Sequence, residues 1–362
     1  MFKLIAQEFV NQYSFLNLFN FITFRVGASI LTSLFFSLIF GQFIINFLSK
    51  IQPKGQPIRE DGPETHIIKK TGTPTMGGVL IILSVLISSL LWTDLKNSFV
   101  WIGLLSLTIF GLIGLIDDYK KIKSNSSNGL KATTRIVLQL FLALSISLII
   151  LNILDDNIDT SIAFPFFKNL IVNFGYFYLV ISLFIIIGSA NAVNLTDGLD
   201  GLAIVPVMIV AMTFAFIAYV SGNIVFSDYL LINYIPGTGE LSVLCGALIG
   251  SALGFLWFNA PPAKVFMGDT GSLALGATIG SIAIMVKHEI VLAIAGGLFV
   301  LETLSVVIQV VSFKLTGKRV FMMAPLHHHF EKKGWAESTI VIRFWIITIV
   351  LALISLATLK IR

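Results

Sequence analysis

The chain is 362 residues long, 56% hydrophobic and 12% charged, with a formal net charge of +5. That composition excludes an ordinary soluble domain and points to an all-α polytopic membrane protein, a single integral-membrane domain over residues 1–362. The lone cysteine, Cys245, lies in an apolar run and excludes an internal disulfide or a cysteine-based metal cage. The basic residues are distributed to orient the chain in a bilayer, not to bind nucleic acid.

Residues 1–21 carry Lys3, Glu8, Asn11, Gln12 and Asn17, with no clean apolar core before a small-residue cleavage site. They read as an interfacial segment with Phe and Leu toward lipid, not as a cleaved signal peptide. A span needs about 20 apolar residues. Ten candidates follow: 22–48, 75–93, 98–116, 134–153, 173–190, 202–220, 241–258, 272–287, 289–312 and 339–359. Only Lys287-His288-Glu289 divides the eighth from the ninth, which implies a tight turn. Connections after odd-numbered runs hold most of the cations: Lys50, Lys54, Arg59, Lys69 and Lys70, then Lys120, Lys121, Lys123, Lys131 and Arg135, then Lys264, then Lys314, Lys318, Arg319, Lys332 and Lys333. The positive-inside rule therefore places these connections in the cytoplasm and both termini on the periplasmic side.

The chemistry-bearing residues fall in those same connections. Lys69-Lys70-Thr71-Gly72-Thr73-Pro74-Thr75-Met76-Gly77-Gly78 enters the second run with cations, hydroxyls and glycines, a phosphate grip or simply the charge rule at work. Asp117-Asp118 closes the third run. A carboxylate at a helix C-terminus opposes the macrodipole, so the pair needs an offsetting cation, from Lys120, Lys121, Lys123 or a metal, unless it is a solvated cap. Between the fifth and sixth runs, Asn194, Asp197 and Asp200 stand three residues apart. They share one face if helical, whereas Gly198 and Gly201 favour a broken, closely approached backbone.

Asn259-Ala260-Pro261-Pro262-Ala263-Lys264-Val265-Phe266-Met267-Gly268-Asp269-Thr270-Gly271-Ser272 precedes the eighth run. Thr270 or Ser272 can cap that helix, whose free N–H groups suit an anion. Asp269 beside a phosphate is a natural Mg²⁺ ligand, because that ion takes oxygen donors and substrate phosphates. His327, His328 and His329 would point about 100° apart on a helix. They cannot all serve one zinc, and they suit hydrogen bonding to phosphate better. Glu302 falls inside the ninth run and should face protein or water, with Gly296-Gly297 able to bend the helix just before it.

Taken together, Lys70–Gly78, Asp117-Asp118-Tyr119, Asn194–Gly201, Met267–Ser272 and Ala324-Pro325-Leu326-His327-His328-His329-Phe330-Glu331 resemble the polyprenyl-phosphate N-acetylhexosamine-1-phosphate transferases, in their phospho-N-acetylmuramoyl-pentapeptide transferase branch. The resemblance covers roughly residues 50–345. It implies ten spans in a bacterial cytoplasmic (inner) membrane, a cytoplasmic active site, Mg²⁺ dependence and a homodimer. It implies transfer of phospho-MurNAc-pentapeptide from UDP-MurNAc-pentapeptide to undecaprenyl phosphate, giving lipid I and UMP. Asp269 would hold Mg²⁺, Asp117 would orient or deprotonate the lipid phosphate, and Asp118 would help place the metal or Lys121. Lys70, Thr75, Asn194, Asp197, Asp200, Asn259 and Phe266 would bind the UDP portion, with Phe266 stacked on uracil; His327, His328 and His329 would contact phosphate or sugar. One in-line displacement is the favoured route, against a covalent aspartyl-phosphate. The competing functions are a sibling enzyme that transfers GlcNAc-1-phosphate to the same lipid and, in another class, a transporter. A transporter would set its ionisable groups at the bilayer midplane, where only Glu302 falls.

Overall fold

Lipid offers no partner for an open N–H or C=O, so apolar runs of this kind close their hydrogen bonds within helices. The computed structural model describes residues 1–56, 72–124, 126, 128–155, 158–167 and 170–360, and the protein is mostly helical there. A short helix, α1 (Phe2–Phe9), and a 3-10 segment (Ser14–Asn20) precede α2 (Ile22–Ile51), α3 (Gly78–Trp92), α4 (Ser98–Ser124) and α5 (Ala132–Ile153). Next come α6 (Phe177–Thr196), α7 (Ile204–Ser221), the short α8 (Ile224–Leu230), α9 (Gly239–Asn259) and α10 (Gly268–Met285). The last four are α11 (Glu289–Ala295), α12 (Gly297–Thr316), α13 (Leu326–Lys332) and α14 (Glu337–Thr358).

Among the described residues, eight helices are long and apolar enough to cross a membrane: α2, α4, α5, α6, α7, α9, α12 and α14. This is the pattern of a multi-pass membrane protein. The second and eighth expected spans correspond to α3, apolar but 15 residues long, and to α10, whose first turn is the polar Gly268-Asp269-Thr270-Gly271-Ser272.

The structure departs from the expected all-α pattern in one connection, between α5 and α6. Strands β1 (Ser161–Ala163) and β2 (Ile171–Asn173) pair antiparallel, with Ile162 opposite Val172. Their β-branched residues suit a small pleated patch, and runs of three residues are too short to announce a strand in sequence. The ninth run, expected as one bent span, is two helices: α11 stops at Ala295, Gly296 intervenes, and α12 begins at Gly297. The Lys287–Glu289 turn is present, with Lys287 at a φ of +57°.

The core is centred on α9 and α10, whose residues are almost all buried. α9 packs chiefly on α2 and α7, and α10 on α4 and α6. Small residues set the spacing: a Cβ added to Gly250 would lie 2.0 Å from the Ile30 carbonyl oxygen. Hydroxyl pairs join α2 to α3, Ser29 with Ser88 at 2.9 Å and Ser37 with Ser84 at 2.7 Å. Such close backbone contact and interhelical hydrogen bonding replace the hydrophobic drive that lipid removes.

Three of the cations that run against the charge rule are neutralised at the far end of the bundle. Arg25 reaches Glu240 at 2.6 and 2.7 Å, and Lys3 reaches Asp94 at 2.6 Å. Lys287 lies 3.2 Å from Glu289, whose carboxylate also accepts from the Tyr178 hydroxyl. α4, α6 and α9 carry the chain from this end to the motif loops at the other, and α10 runs back from Asp269 toward Lys287.

Candidate active site

The motif loops converge at helix ends. α4 delivers Asp117 and Asp118, α10 starts with Asp269, and α6 ends near Asn194. Two glycines let these helices meet: a Cβ on Gly114 would lie 2.1 Å from the Asp269 carbonyl oxygen, and one on Gly78 would lie 2.1 Å from the Gly271 nitrogen. A short backbone ladder locks the start of α3 to the loop before α10. Phe266 N–H donates to the Pro74 carbonyl, Gly77 N–H to Phe266 and Gly78 N–H to Met267, each at 2.9 Å.

Asp117, Asp118 and Asp269 present carboxylate oxygens within 4.8 Å of one another. Three carboxylates so close need positive charge between them. Lys121 Nζ lies 2.6 Å from Asp117, 3.0 Å from Asp269 and 3.9 Å from Asp118. Arg135 adds a second contact to Asp269 at 3.0 Å. An all-oxygen set of this density fits a divalent cation.

The three acids differ in what else they do. Asp118 caps α10: it accepts from the Thr270 N–H at 3.0 Å, the Thr270 hydroxyl at 2.7 Å and the Asp269 N–H at 3.3 Å. This corrects the expectation that Thr270 or Ser272 caps that helix. Thr270 donates to Asp118, and the Ser272 hydroxyl donates back to the Gly268 carbonyl at 2.9 Å. Asp117 accepts the Leu130 N–H at 2.7 Å, which folds the loop after α4 over it. Asp269 is met on its other oxygen by the Asn194 amide at 2.7 Å.

The Asn194–Gly201 segment takes the broken form. α6 stops at Thr196, half-buried Asp197 follows it, and Gly201 sits at a φ of +72°. Its polar groups therefore diverge. Asn194 faces Asp269, whereas buried Asp200 accepts the Ala263 N–H at 3.0 Å and donates its own N–H to Glu337 at 3.1 Å. Buried Asn259 bridges Gly201 N–H at 3.0 Å and the Val265 carbonyl at 2.9 Å. Asp200 and Asn259 thus tie the two central loops together. Buried Thr75 takes its place through its N–H, which donates to Gln52 at 2.9 Å, and Phe266 is half-buried on the same ladder. Lys70 lies outside the described residues.

The histidines sit on α13 and point apart. His327 is fully buried, with Nδ1 3.2 Å from Glu302, and it abuts Gly198, where a Cβ would come 2.3 Å from Nε2. The Glu302 carboxylate thus faces protein, as its place in an apolar run required. His328 Nδ1 is 2.6 Å from Glu331, and His329 Nδ1 accepts the Met322 N–H at 3.1 Å. Partial desolvation, with Lys333 nearby, holds the His329 pKa below the ordinary histidine value. The histidine loop therefore touches the Asn194–Gly201 loop, and the described residues of the motif loops form one constellation. Sequence reading missed Arg135 as a site residue, together with Asn191 and Gln139, which support it.

A model of glycosyl transferase family 4 matches residues 100–287, and a signature of phospho-N-acetylmuramoyl-pentapeptide-transferases matches residues 70–82. The phospho-N-acetylmuramoyl-pentapeptide-transferase of Pelagibacter ubique (strain HTCC1062) is 61% identical over 363 residues, with 100% of both chains covered. The chain belongs to the phospho-N-acetylmuramoyl-pentapeptide-transferase family. Within that family assignment, the signature spans the stretch that enters α3, and the broader match runs from α4 to the end of α10, which brackets all three clustered carboxylates.

Proposed function

We propose that the protein transfers phospho-MurNAc-pentapeptide from UDP-MurNAc-pentapeptide to undecaprenyl phosphate, giving lipid I and UMP. One observation carries the reading: in a chain 61% identical along its full length to a phospho-N-acetylmuramoyl-pentapeptide-transferase, three carboxylates from distant segments gather within 4.8 Å. The same match favours the muramoyl-pentapeptide substrate over UDP-GlcNAc. Acids gathered at helix ends argue against a transporter, which would place them at midplane.

The bound cation, Mg²⁺ in this reading, would neutralise diphosphate charge. Asp269 is the residue to hold it, with Asp117 and Asp118 beside it. Lys121 lies among all three acids, ready to steady phosphate oxygens. Asp117 orients the lipid phosphate for in-line attack or accepts its proton. Phosphate monoesters have a second pKa near 6, so that proton is a small obstacle at neutral pH. Catalysis then rests on positioning and charge neutralisation. Thr75, Asn194, Asp197 and Phe266 line the nucleotide side, while Asp200 and Asn259 hold its loops; Lys70, by the family resemblance, would bind the nucleotide as well. His328 and His329 would contact phosphate or sugar, whereas buried His327 braces the Asn194–Gly201 loop against Glu302.

In this reading the whole chain acts as one integral domain with ten spans, α3 and α10 included. Both termini are periplasmic, the site opens to the cytoplasm, and the active form is a homodimer in the inner membrane. A lipid phosphate arriving laterally and a nucleotide arriving from the cytosol meet only at such an edge. The deciding experiment is UMP release by purified protein. Its steady-state turnover should require both undecaprenyl phosphate and Mg²⁺, and sustained multiple-turnover release without the lipid acceptor would refute the transfer reading. Inversion at phosphorus is expected; net retention would point to the covalent route.

A further inference from the structure

Asp269 Oδ2 is shared by two cations, Lys121 Nζ and Arg135 Nη1, each at 3.0 Å. A divalent ion on that carboxylate repels both, and one must yield. Lys121 has acids to fall back on, Asp117 at 2.6 Å and Asp118 at 3.9 Å. Arg135 has none among the contacts described. Its Nη2 edge is held by neutral amide oxygens, Asn191 at 3.1 Å and Asn194 at 3.2 Å. That hold is built in. The Asn191 amide nitrogen donates to buried Gln139 at 2.9 Å and to the Ile187 carbonyl at 2.8 Å, so its oxygen must face Arg135. The side chain remains 21% exposed at the start of α5, within reach of a ligand at the cluster.

We propose that Arg135 is a two-position cation: it neutralises Asp269, then passes its Nη1 edge to the diphosphate of the nucleotide substrate when a divalent ion takes that carboxylate, while Asn191 and Asn194 keep the other edge. A planar guanidinium fits this exchange, because its nitrogens are fixed relative to one another: with Nη2 held on Asn191 and Asn194, Nη1 can pass from a carboxylate oxygen to a phosphate oxygen without losing its charge. The inference rests on the proposed substrate, and it adds a residue that opposes metal binding and favours nucleotide binding.

The opposite signs make the test. Full-length wild type, Arg135→Gln and Arg135→Lys are compared in detergent by two titrations, Mn²⁺ alone followed by electron paramagnetic resonance, and UDP-MurNAc-pentapeptide with Mg²⁺ followed by calorimetry. R135Q should bind Mn²⁺ several-fold more tightly and the nucleotide roughly tenfold more weakly, the size of one charge-assisted hydrogen bond. R135K keeps the charge but cannot hold the Asn191 and Asn194 oxygens and reach the diphosphate at once, so it should leave Mn²⁺ binding near wild type and still weaken the nucleotide. A purely structural Arg135 would weaken both ligands together, and that result, or no change in either, overturns the proposal. Wild-type protein that takes Mn²⁺ but no nucleotide would instead refute the substrate reading, and Arg135's second position with it.

Discussion

At one end of the bundle Arg25 lies fully buried against Glu240, and Lys3 and Asp94 complete a neutral set; at the other, three carboxylates face Lys121 and Arg135 and keep a net negative charge. Exposure does not separate them: Lys3 and Asp94 are 17% and 21% exposed, and Lys121 and Arg135 are each 21% exposed. A balanced cluster has no use for a ligand and serves as a fastening. An unbalanced one needs a further cation. Charge balance, not burial of charge as such, separates structure from chemistry here.

Four substitutions probe that contrast. The largest effect is expected from Glu240→Ala, which strands buried Arg25. It should cost about 3–5 kcal/mol of stability, read as a lower thermal midpoint in detergent, while turnover per folded molecule stays near wild type. Lost turnover without lost stability would dissolve the distinction between the two ends. Asp269→Ala should do the reverse, cutting UMP release by about 10²–10³-fold in protein that still inserts. A smaller effect is expected from Gly114→Ala, whose Cβ would press on the Asp269 carbonyl. Overpacking of about 1–3 kcal/mol should appear together with slower turnover, and an unaltered enzyme would show that α4 and α10 can part freely. The smallest stability change belongs to Asp118→Asn. Asparagine also caps helices, so unfolding should shift by less than about 1 kcal/mol, with Asp118→Ala clearly worse.

The helical plan was legible because membrane spans advertise themselves as long apolar runs, and the break at Gly296-Gly297 was visible as a glycine pair. The hairpin around Ile162 and Val172 was not, since three-residue strands carry too little pattern. Within the site, Asp269 stood out as an acid beside a glycine and Asp117-Asp118 as a pair of acids closing an apolar run. Arg135, Asn191 and Gln139 did not, because each lies at or within an apolar run and acquires meaning only when α5 and α6 come together. Asp118 looked like a partner of the metal or of Lys121, and its capping of α10 is a tertiary contact that no local rule reports. Asp200 and Asn259 were expected against nucleotide; their hydrogen bonds to Ala263, Gly201 and Val265 give them a loop-bracing role that spacing alone could not reveal.

The contact between Asp118 and Thr270 joins residues 152 positions apart. During biosynthesis the ribosome delivers the first of these long before the second. On the proposed role of Asp269, a growing polypeptide that already carries Asp117 and Asp118 stays inert until α10 has been inserted beside α4, because any fragment that ends before residue 269 lacks the third carboxylate.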